Sequence, residues 1–178
     1  MDSLYSRYAN ALFSIALEEN KIDDYRNEIK MLRKIISENG DLLHLFSSYF
    51  IEEKEKNEII DQTFKSLNQN TINFMKVIVH NRRANEMIKI FDEFIKDCNE
   101  SLNVKDGIVY SVNPLDQNQM LKIENAISSK LDCKVELVNI IDEKLIGGVK
   151  VQVEDKIFDG SIKNRLENLK NTLISGGN

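Results

Sequence analysis

Glycine and proline are distributed very unevenly along this chain of 178 residues. Residues 1 to 106 contain one glycine, Gly40, and no proline. Because these two residues most often interrupt regular structure, this half of the chain can form one helix after another. Apolar residues at helical spacing predict six helices, at residues 3–19, 23–38, 41–47, 52–66, 70–81 and 85–102. Their short connections favour antiparallel neighbours and therefore a six-helix bundle.

The pattern changes at Gly107, where alternating apolar residues begin. Residues 108–112, 135–141 and 149–153 have the period of two that is typical of strands. Asn113 and Pro114 suggest a helix start, with Asn113 as the cap, Pro114 in the first turn and Asp116 completing a capping box. The predicted order is strand, helix, strand, strand, helix, so the fold class is α+β, with a helical bundle at residues 1–105 and a small α/β domain at residues 106–178.

The last 29 residues of regular pattern, Leu145 to Leu173, combine a strand, a turn and a capped helix. Val149, Val151 and Val153 alternate with polar residues, which gives the strand one apolar face. The segment Asp159-Gly160-Ser161 supplies short oxygen side chains that can accept hydrogen bonds from a helix's first turn. The helix that follows has apolar residues at helical spacing: Ile162, Leu166, Leu169 and Leu173.

The charge balance argues against a nucleic-acid partner. Residues 1–104 have 14 Lys and Arg against 18 Asp and Glu, and residues 105–178 have 10 against 11. Neither half has the basic excess that neutralises phosphates. No apolar run is long enough to cross a bilayer, and the first residues resemble neither a secretory signal nor a transit peptide, so a soluble protein with no membrane span is expected. Cys98 and Cys133, far apart in sequence, are predicted to be free buried thiols.

No residue pattern predicts a catalytic, cofactor or metal site. Gly147-Gly148 lacks the spacing of a phosphate-binding loop and favours a close backbone approach or a bulge in a strand. His44 and His80 lack supporting ligands at useful spacing. The cluster from His80 to Arg83 could bind an anion, but it is better explained by cations at the end of the fifth helix. Two alternatives stay open, a small enzyme with a site assembled from scattered residues and a nucleic-acid module that uses this cluster.

Residues at both ends of the chain resemble one family, the delta subunit of bacterial F-type ATP synthases, which includes the mitochondrial oligomycin-sensitivity-conferring protein. Its C-terminal segment resembles residues 145–173 of this chain. Its first-helix motif resembles the run YANALFSIA at residues 8–16. Residues 91–94 and 109–115 occupy the positions where the family ends its helical domain and begins its C-terminal domain. The resemblance therefore covers essentially the whole chain.

The resemblance implies a non-catalytic subunit of the peripheral stalk, which links the catalytic head to the membrane sector and resists the torque of the rotor. Its implied partners are the alpha subunits of the head and b-type stalk subunits. One copy would be present in the complex, peripheral to the cytoplasmic face of the bacterial plasma membrane. Residues 1–105 would bind the head and residues 106–178 the stalk.

The implied head-binding site is a groove between the first and fifth helices that receives a helix of the head. The alanines of the first helix widen its apolar surface, which suits either core packing or a partner helix. The matching residues are Tyr8, Ala9, Ala11, Leu12, Ile78, Val79 and Arg82. The residues expected to face the stalk are Leu166, Leu169 and Leu173.

Overall fold

A computed structural model of the chain describes residues 4–175, and for residues 168, 169 and 171–175 it describes the backbone alone. The chain divides into two compact units, Met1–Leu102 and Asn103–Asn178. The first is helical and the second contains a four-stranded sheet. The α+β class, with a helical N-terminal region before a small α/β domain, is therefore confirmed. No helix among the described residues is long and apolar enough to cross a membrane.

The N-terminal unit contains six α-helices, and a 3-10 turn at Ala84–Glu86 precedes the last of them. They are α1 (Leu4–Glu18), α2 (Ile22–Glu38), α3 (Gly40–Ser47), α4 (Glu53–Thr63), α5 (Gln69–His80) and α6 (Met87–Leu102). Most ends lie within one or two residues of the predicted ends. The exception is α4, which ends at Thr63, three residues before its predicted end.

Residues other than glycine take the left-handed backbone conformation after several helices, and two of them are asparagines. Asn20, between α1 and α2, has a φ of 56°, and Asn103, after α6, has a φ of 51°. Asparagine enters this left-handed region more readily than most residues because its short side chain can bond locally. The N-terminal unit can therefore turn at these points although Gly40 is its single glycine.

The core of the N-terminal unit is built from one apolar stripe of each long helix. The centre of this core is aromatic and aliphatic, with Tyr25, Ile29, Phe91 and Phe94 all at most 1% exposed. The rings of Phe91 and Phe74 lie 6.3 Å apart, centroid to centroid, in a tilted arrangement. Aromatic side chains bury the largest apolar areas, so this layer contributes much of the hydrophobic stabilisation of the unit.

The C-terminal unit contains a mixed sheet with the strand order β2-β1-β3-β4. Its elements are β1 (Val104–Ser111), α7 (Gln117–Leu131), β2 (Lys134–Ile141), β3 (Val149–Val153), β4 (Lys156–Asp159) and α8 (Ile162–Ser175). β1 runs parallel to β2 and antiparallel to β3, and β3 is antiparallel to β4. Val109, Val135, Leu137 and Val151 point to one side of the sheet and pack with Ile127 of α7.

The structure differs from the predictions for this unit at three points. β1 begins at Val104, four residues before its predicted start, and a single residue, Asn103, separates it from α6. The predicted turn after the valine strand is present at residues 154–155, but the strand β4 that follows it was not predicted, and its four residues show no clear alternation. The cap of α7 is Asp116, whose carboxylate accepts the Gln119 amide while the Gln119 side chain accepts the Asp116 amide, so Asn113 is not the cap.

Side chains of α7 cover the first half of the outer edge of β2. The amide of Val135 donates to the Ser128 hydroxyl at 2.9 Å, and the amide of Leu137 donates to Glu124 Oε1 at 2.9 Å. β2 is an edge strand, and unpaired amides on an edge strand can pair with another chain. These two side chains satisfy both donors within the unit.

Candidate functional site

The four predicted head-binding residues of α1 lie on two different faces of the helix. Ala9 and Leu12 are 0% and 1% exposed and belong to the core. Ala11 is exposed, and Tyr8 is half-buried against the core. The structure therefore separates the two explanations left open for the alanines, because Ala9 packs inward and Ala11 lies on the surface.

A second apolar stripe runs along α1 beside the buried one. It consists of Leu4, Tyr8, Ala11 and Ile15, which follow one another at steps of four, three and four residues. Such spacing places side chains on one face of a helix. Leu4 and Tyr8 are half-buried, and Ile15 is 37% exposed. We call these four residues the α1 stripe, and Ala11 has the smallest side chain in it.

The predicted residues of α5 also differ in exposure. Ile78 and Val79 are 0% and 4% exposed and lie in the core. Arg82 follows the helix with a φ of 55°, and its guanidinium carbon lies 5.7 Å from the centroid of the Tyr49 ring. The apolar side chain that α5 leaves on the surface is Val77, which is 48% exposed and was not predicted.

A polar cluster fixes the start of α5 against α1 and α2. The side-chain amide of Asn70 donates to Glu19 Oε1 and to the Tyr25 hydroxyl, both at 2.9 Å. On the other side, Glu28 accepts from the Asn68 amide at 2.9 Å and from the Thr71 hydroxyl at 2.5 Å. Thr71 is 0% exposed, so its bond to Glu28 is shielded from water. We call Glu19, Tyr25, Glu28, Asn68, Asn70 and Thr71 the α5 polar cluster.

The Tyr25 hydroxyl must be protonated to make both of its hydrogen bonds in this cluster. Burial raises the pKa of its hydroxyl, and the carboxylates of Glu19 and Glu28 act in the same direction, although the bond from Asn70 opposes them. The hydroxyl therefore stays protonated at neutral pH and donates to Glu19 Oε2 at 2.9 Å while it accepts from Asn70.

The cluster also fixes the start of α5, two turns before Val77. Asn70, in the first turn of α5, contacts Glu19, just after the end of α1. Val77 is seven residues after Asn70, about two turns or 10 Å further along the same face of α5. Val77 and the α1 stripe are therefore the candidate apolar residues of these two helices for a contact with a partner.

The basic cluster after α5 is bonded within the chain. His80 Nδ1 lies 2.8 Å from Glu53 Oε1, and Arg83 Nη1 lies 3.4 Å from Glu86 Oε1. Both pairs are substantially exposed, and such pairs contribute little to stability. His80 is the last residue of α5, and Arg82 and Arg83 follow it, as expected for cations near a helix C-terminus. These contacts favour the structural explanation of the cluster.

The described residues contain little that could perform chemistry. Within residues 4–175, no group of three or more His, Cys, Asp or Glu side chains could hold a metal ion. Both cysteines are free, but only Cys98 is buried as predicted, whereas Cys133 is partly exposed. Burial raises the pKa of the Cys98 thiol to about 12. Because the thiolate is the reactive form, Cys98 is unreactive in the folded chain.

The glycine pair has a structural role. Gly148 has a φ of 80°, and a Cβ added there would lie 2.6 Å from the Gly160 carbonyl oxygen. The predicted close backbone approach is confirmed, although it lies just before β3 rather than inside a strand. It brings the start of β3 next to the residues that begin α8.

The predicted cap of α8 is confirmed. The Ser161 hydroxyl accepts from the Asn164 amide at 3.2 Å, and Asp159 Oδ1 accepts from the Ser161 amide at 2.9 Å. Of the three leucines predicted to face the stalk, Leu166 is 57% exposed. The side chains of Leu169 and Leu173 lie outside the described residues.

Comparisons with known proteins agree on one family. A family model described as ATP synthase delta (OSCP) subunit matches residues 4–173. The chain is 37% identical to the ATP synthase subunit delta of Mycoplasma mobile over 168 residues, which are 94% of this chain and 93% of that protein. It is 40% identical to the subunit delta of Mycoplasma capricolum over 174 residues, 95% of each chain. For that of Bacillus velezensis the identity is 32% over 171 residues, 96% of this chain and 94% of the relative.

A solved structure has the same fold over its whole length. It is a chain in the cryo-EM structure of the Toxoplasma gondii mitochondrial ATP synthase hexamer, with a TM-score of 0.65. The superposition covers 97% of this chain and 98% of that chain at 16% sequence identity, so it bears on the fold alone. The family match favours neither of the two alternatives, an enzyme or a nucleic-acid module. The match over residues 4–173 and the identities of 32% to 40% establish that this chain belongs to the ATP synthase delta (OSCP) subunit family.

Proposed function

We infer that this chain is a non-catalytic subunit of the peripheral stalk of an F-type ATP synthase, where it links the catalytic head to the membrane sector. The observation that supports this function best is that α1 and α5 each leave apolar side chains exposed. The chain belongs to a family of ATP synthase subunits. Ala11 of α1 and Val77 of α5 are exposed in the unassembled chain. Exposed apolar surface with a small residue at its centre is suited to a protein partner rather than to a small substrate.

The N-terminal unit, residues 1–105 in the predicted division, binds the head in this proposal. Its partner is an amphipathic helix of an alpha subunit, which lies in the groove between α1 and α5. Tyr8, Ala11 and Ile15 contact that helix from one side and Val77 from the other. Ala9, Leu12, Ile78 and Val79 support the groove from the core beneath it. Arg82 lies beyond the end of α5, where it can contact polar residues of the partner.

The C-terminal unit, residues 106–178, binds the b-type stalk subunits, and Leu166, Leu169 and Leu173 of α8 contribute to that contact. One copy of the chain serves each complex, held at the cytoplasmic face of the bacterial plasma membrane through its partners. We also propose that α1 to α6 form a closed bundle. Such a unit suits a connector that must resist torque without changing shape.

Resistance to torque needs partners that dissociate slowly. A dissociation constant of 1 nM corresponds to about −12 kcal/mol. Interfaces of roughly 1,600 Å² reach this affinity when a few central residues pack well. Two separate interfaces, one on each unit, would hold the head against the turning rotor.

The test replaces Ala11 by a large residue. Because Ala11 is exposed, a large side chain at this position does not disturb the packing of the core. Ala11→Trp is expected to fill the groove, so that the chain melts at the wild-type temperature but no longer binds the catalytic head. The matched control is Asn10→Trp, since Asn10 is exposed on α1 and lies outside the α1 stripe. Binding is measured by co-sedimentation with purified heads. If Ala11→Trp is folded and binds as well as wild type, the groove is not the head-binding site.

A further inference from the structure

A groove on the C-terminal unit lies beside α7 over the inner face of the sheet. Its volume is about 520 Å³, and its floor consists of Val149, Val151 and Phe158. One wall is the side of α7 that includes Ile123 and Ala126. Ala126 is exposed and Val149 and Phe158 are partly exposed, whereas Val151 is 2% exposed and belongs to the core beneath them.

The rim of this groove is basic. Lys122 and Lys130 lie four residues before and four residues after Ala126, so all three share one face of α7. Lys130 Nζ lies 5.6 Å from the centroid of the Phe158 ring. Arg165, at the start of α8, lines the groove as well.

The basic rim contrasts with the charge of the unit as a whole. Residues 103–178 contain 10 Lys and Arg against 11 Asp and Glu, so cations are concentrated at the groove rather than in excess everywhere. The one acidic residue that lines the groove is Asp159. Its carboxylate already accepts the Ser161 amide at 2.9 Å, so it is committed to the turn before α8.

We propose that this groove binds an acidic amphipathic helix, with the apolar stripe of the helix on Val149 and Phe158 and its acidic flanks against Lys122, Lys130 and Arg165. The inference rests on the proposed function in one respect, since the helix is assigned to the stalk. Charge complementarity selects the partner, because a helix with basic flanks would place like charges along the rim. Ile162 and Leu166, on the same helix as Arg165, are also exposed.

The test compares two synthetic helical peptides on the full chain. Both peptides have the same leucine stripe over about five turns, and one has glutamate and the other lysine on the flanking positions. Binding is measured by fluorescence anisotropy at low and high salt. We expect the acidic peptide to bind roughly tenfold or more tightly than the basic one, with a preference that weakens in salt.

Variants of the groove sharpen the comparison. K122E/K130E is expected to remove or invert the preference, and Ala126→Phe is expected to weaken both peptides by filling the groove. The matched control is K144E/K156E, which makes the same charge change at two exposed lysines outside the groove lining. Melting curves identify any variant that fails to fold. If K122E/K130E fails to fold, the comparison of Ala126→Phe with the control still tests the groove.

Several outcomes would overturn the proposal. Equal binding of the two peptides, or K122E/K130E binding like the control, would show that the rim does not select acidic helices. Binding that appears only after residues 162–178 are removed would assign the groove to α8 of the same chain. Self-association of wild type that Ala126→Phe abolishes would assign it to a second copy.

A separate measurement tests the proposed function. Wild-type chain is expected to co-purify with ATP synthase, and failure to do so would contradict the stalk role whatever the peptides show. Co-purification that K122E/K130E and Ala126→Phe leave intact, together with no peptide preference, would overturn the groove and leave the stalk role in place.

Discussion

Replacement of Glu28 by alanine tests whether the α5 polar cluster holds the N-terminal unit together. The change removes two hydrogen bonds, from the Asn68 amide and from the fully buried Thr71 hydroxyl. Bonds to charged groups contribute about 1.5 to 3 kcal/mol each. Glu28 is half-buried, so the lower value applies and the total loss is about 3 kcal/mol. For a unit of this size that loss corresponds to a drop in melting temperature of roughly 12 to 24 °C.

Two further variants separate the hydrogen bonds from other effects. Glu28→Gln retains one oxygen acceptor and is expected to lose only about 1 kcal/mol. Glu38→Ala removes an exposed carboxylate from the end of the same helix and is expected to change stability by less than about 0.5 kcal/mol.

A double-mutant cycle provides the decisive measurement. Thr71→Val is expected to destabilise the wild type but to cost almost nothing in Glu28→Ala, since the hydroxyl has then already lost this acceptor. Stability is measured by thermal and urea denaturation followed by circular dichroism. A Glu28→Ala variant that melts within a few degrees of wild type, with additive effects of the two changes, would refute the reasoning.

Two other predictions follow from the backbone and the buried thiol. Gly148→Ala forces a Cβ to 2.6 Å from the Gly160 carbonyl at a φ of 80°, so a loss of about 2 to 4 kcal/mol is expected. Gly40→Ala, where an added Cβ meets nothing within 4 Å, is the neutral control, and equal denaturation midpoints would contradict the close approach. Cys98, whose pKa burial raises to about 12, should resist alkylation at pH 8 until the chain unfolds, whereas Cys133 is modified first. Mass spectrometry of peptides after timed alkylation measures this order, and early labelling of Cys98 would show that its surroundings open.

The helices were predictable because their signals are local. Apolar spacing and the near-absence of glycine and proline placed most helix ends within one or two residues. The sequence was less informative about the face on which a small residue lies. Ala9 and Ala11 belong to one alanine-rich run, and only the packing of α6 and α2 against α1 decides that Ala9 is buried and Ala11 exposed.

Long-range contacts account for most of what sequence reasoning missed. Glu28 is 43 residues from Thr71, and nothing in their local sequence links them. Asn68 and Asn70 near the start of α5 were the available signal, since asparagine is frequent at helix starts. β4 was missed because four residues are too few for a periodicity. The folded chain uses Asp116 rather than Asn113 as the cap of α7, because Gln119 completes the reciprocal hydrogen bonds with Asp116.

The occupied edge of β2 has a consequence for the chain before it joins a complex. Before the subunit binds its partners, an open strand edge can pair with the same edge of other copies. Ser128 and Glu124 remove two of the amides that such recruitment needs. At the opposite edge, β4 has only four residues and begins and ends with charged side chains. Both features leave fewer open amides at the edges of the sheet for pairing with other copies.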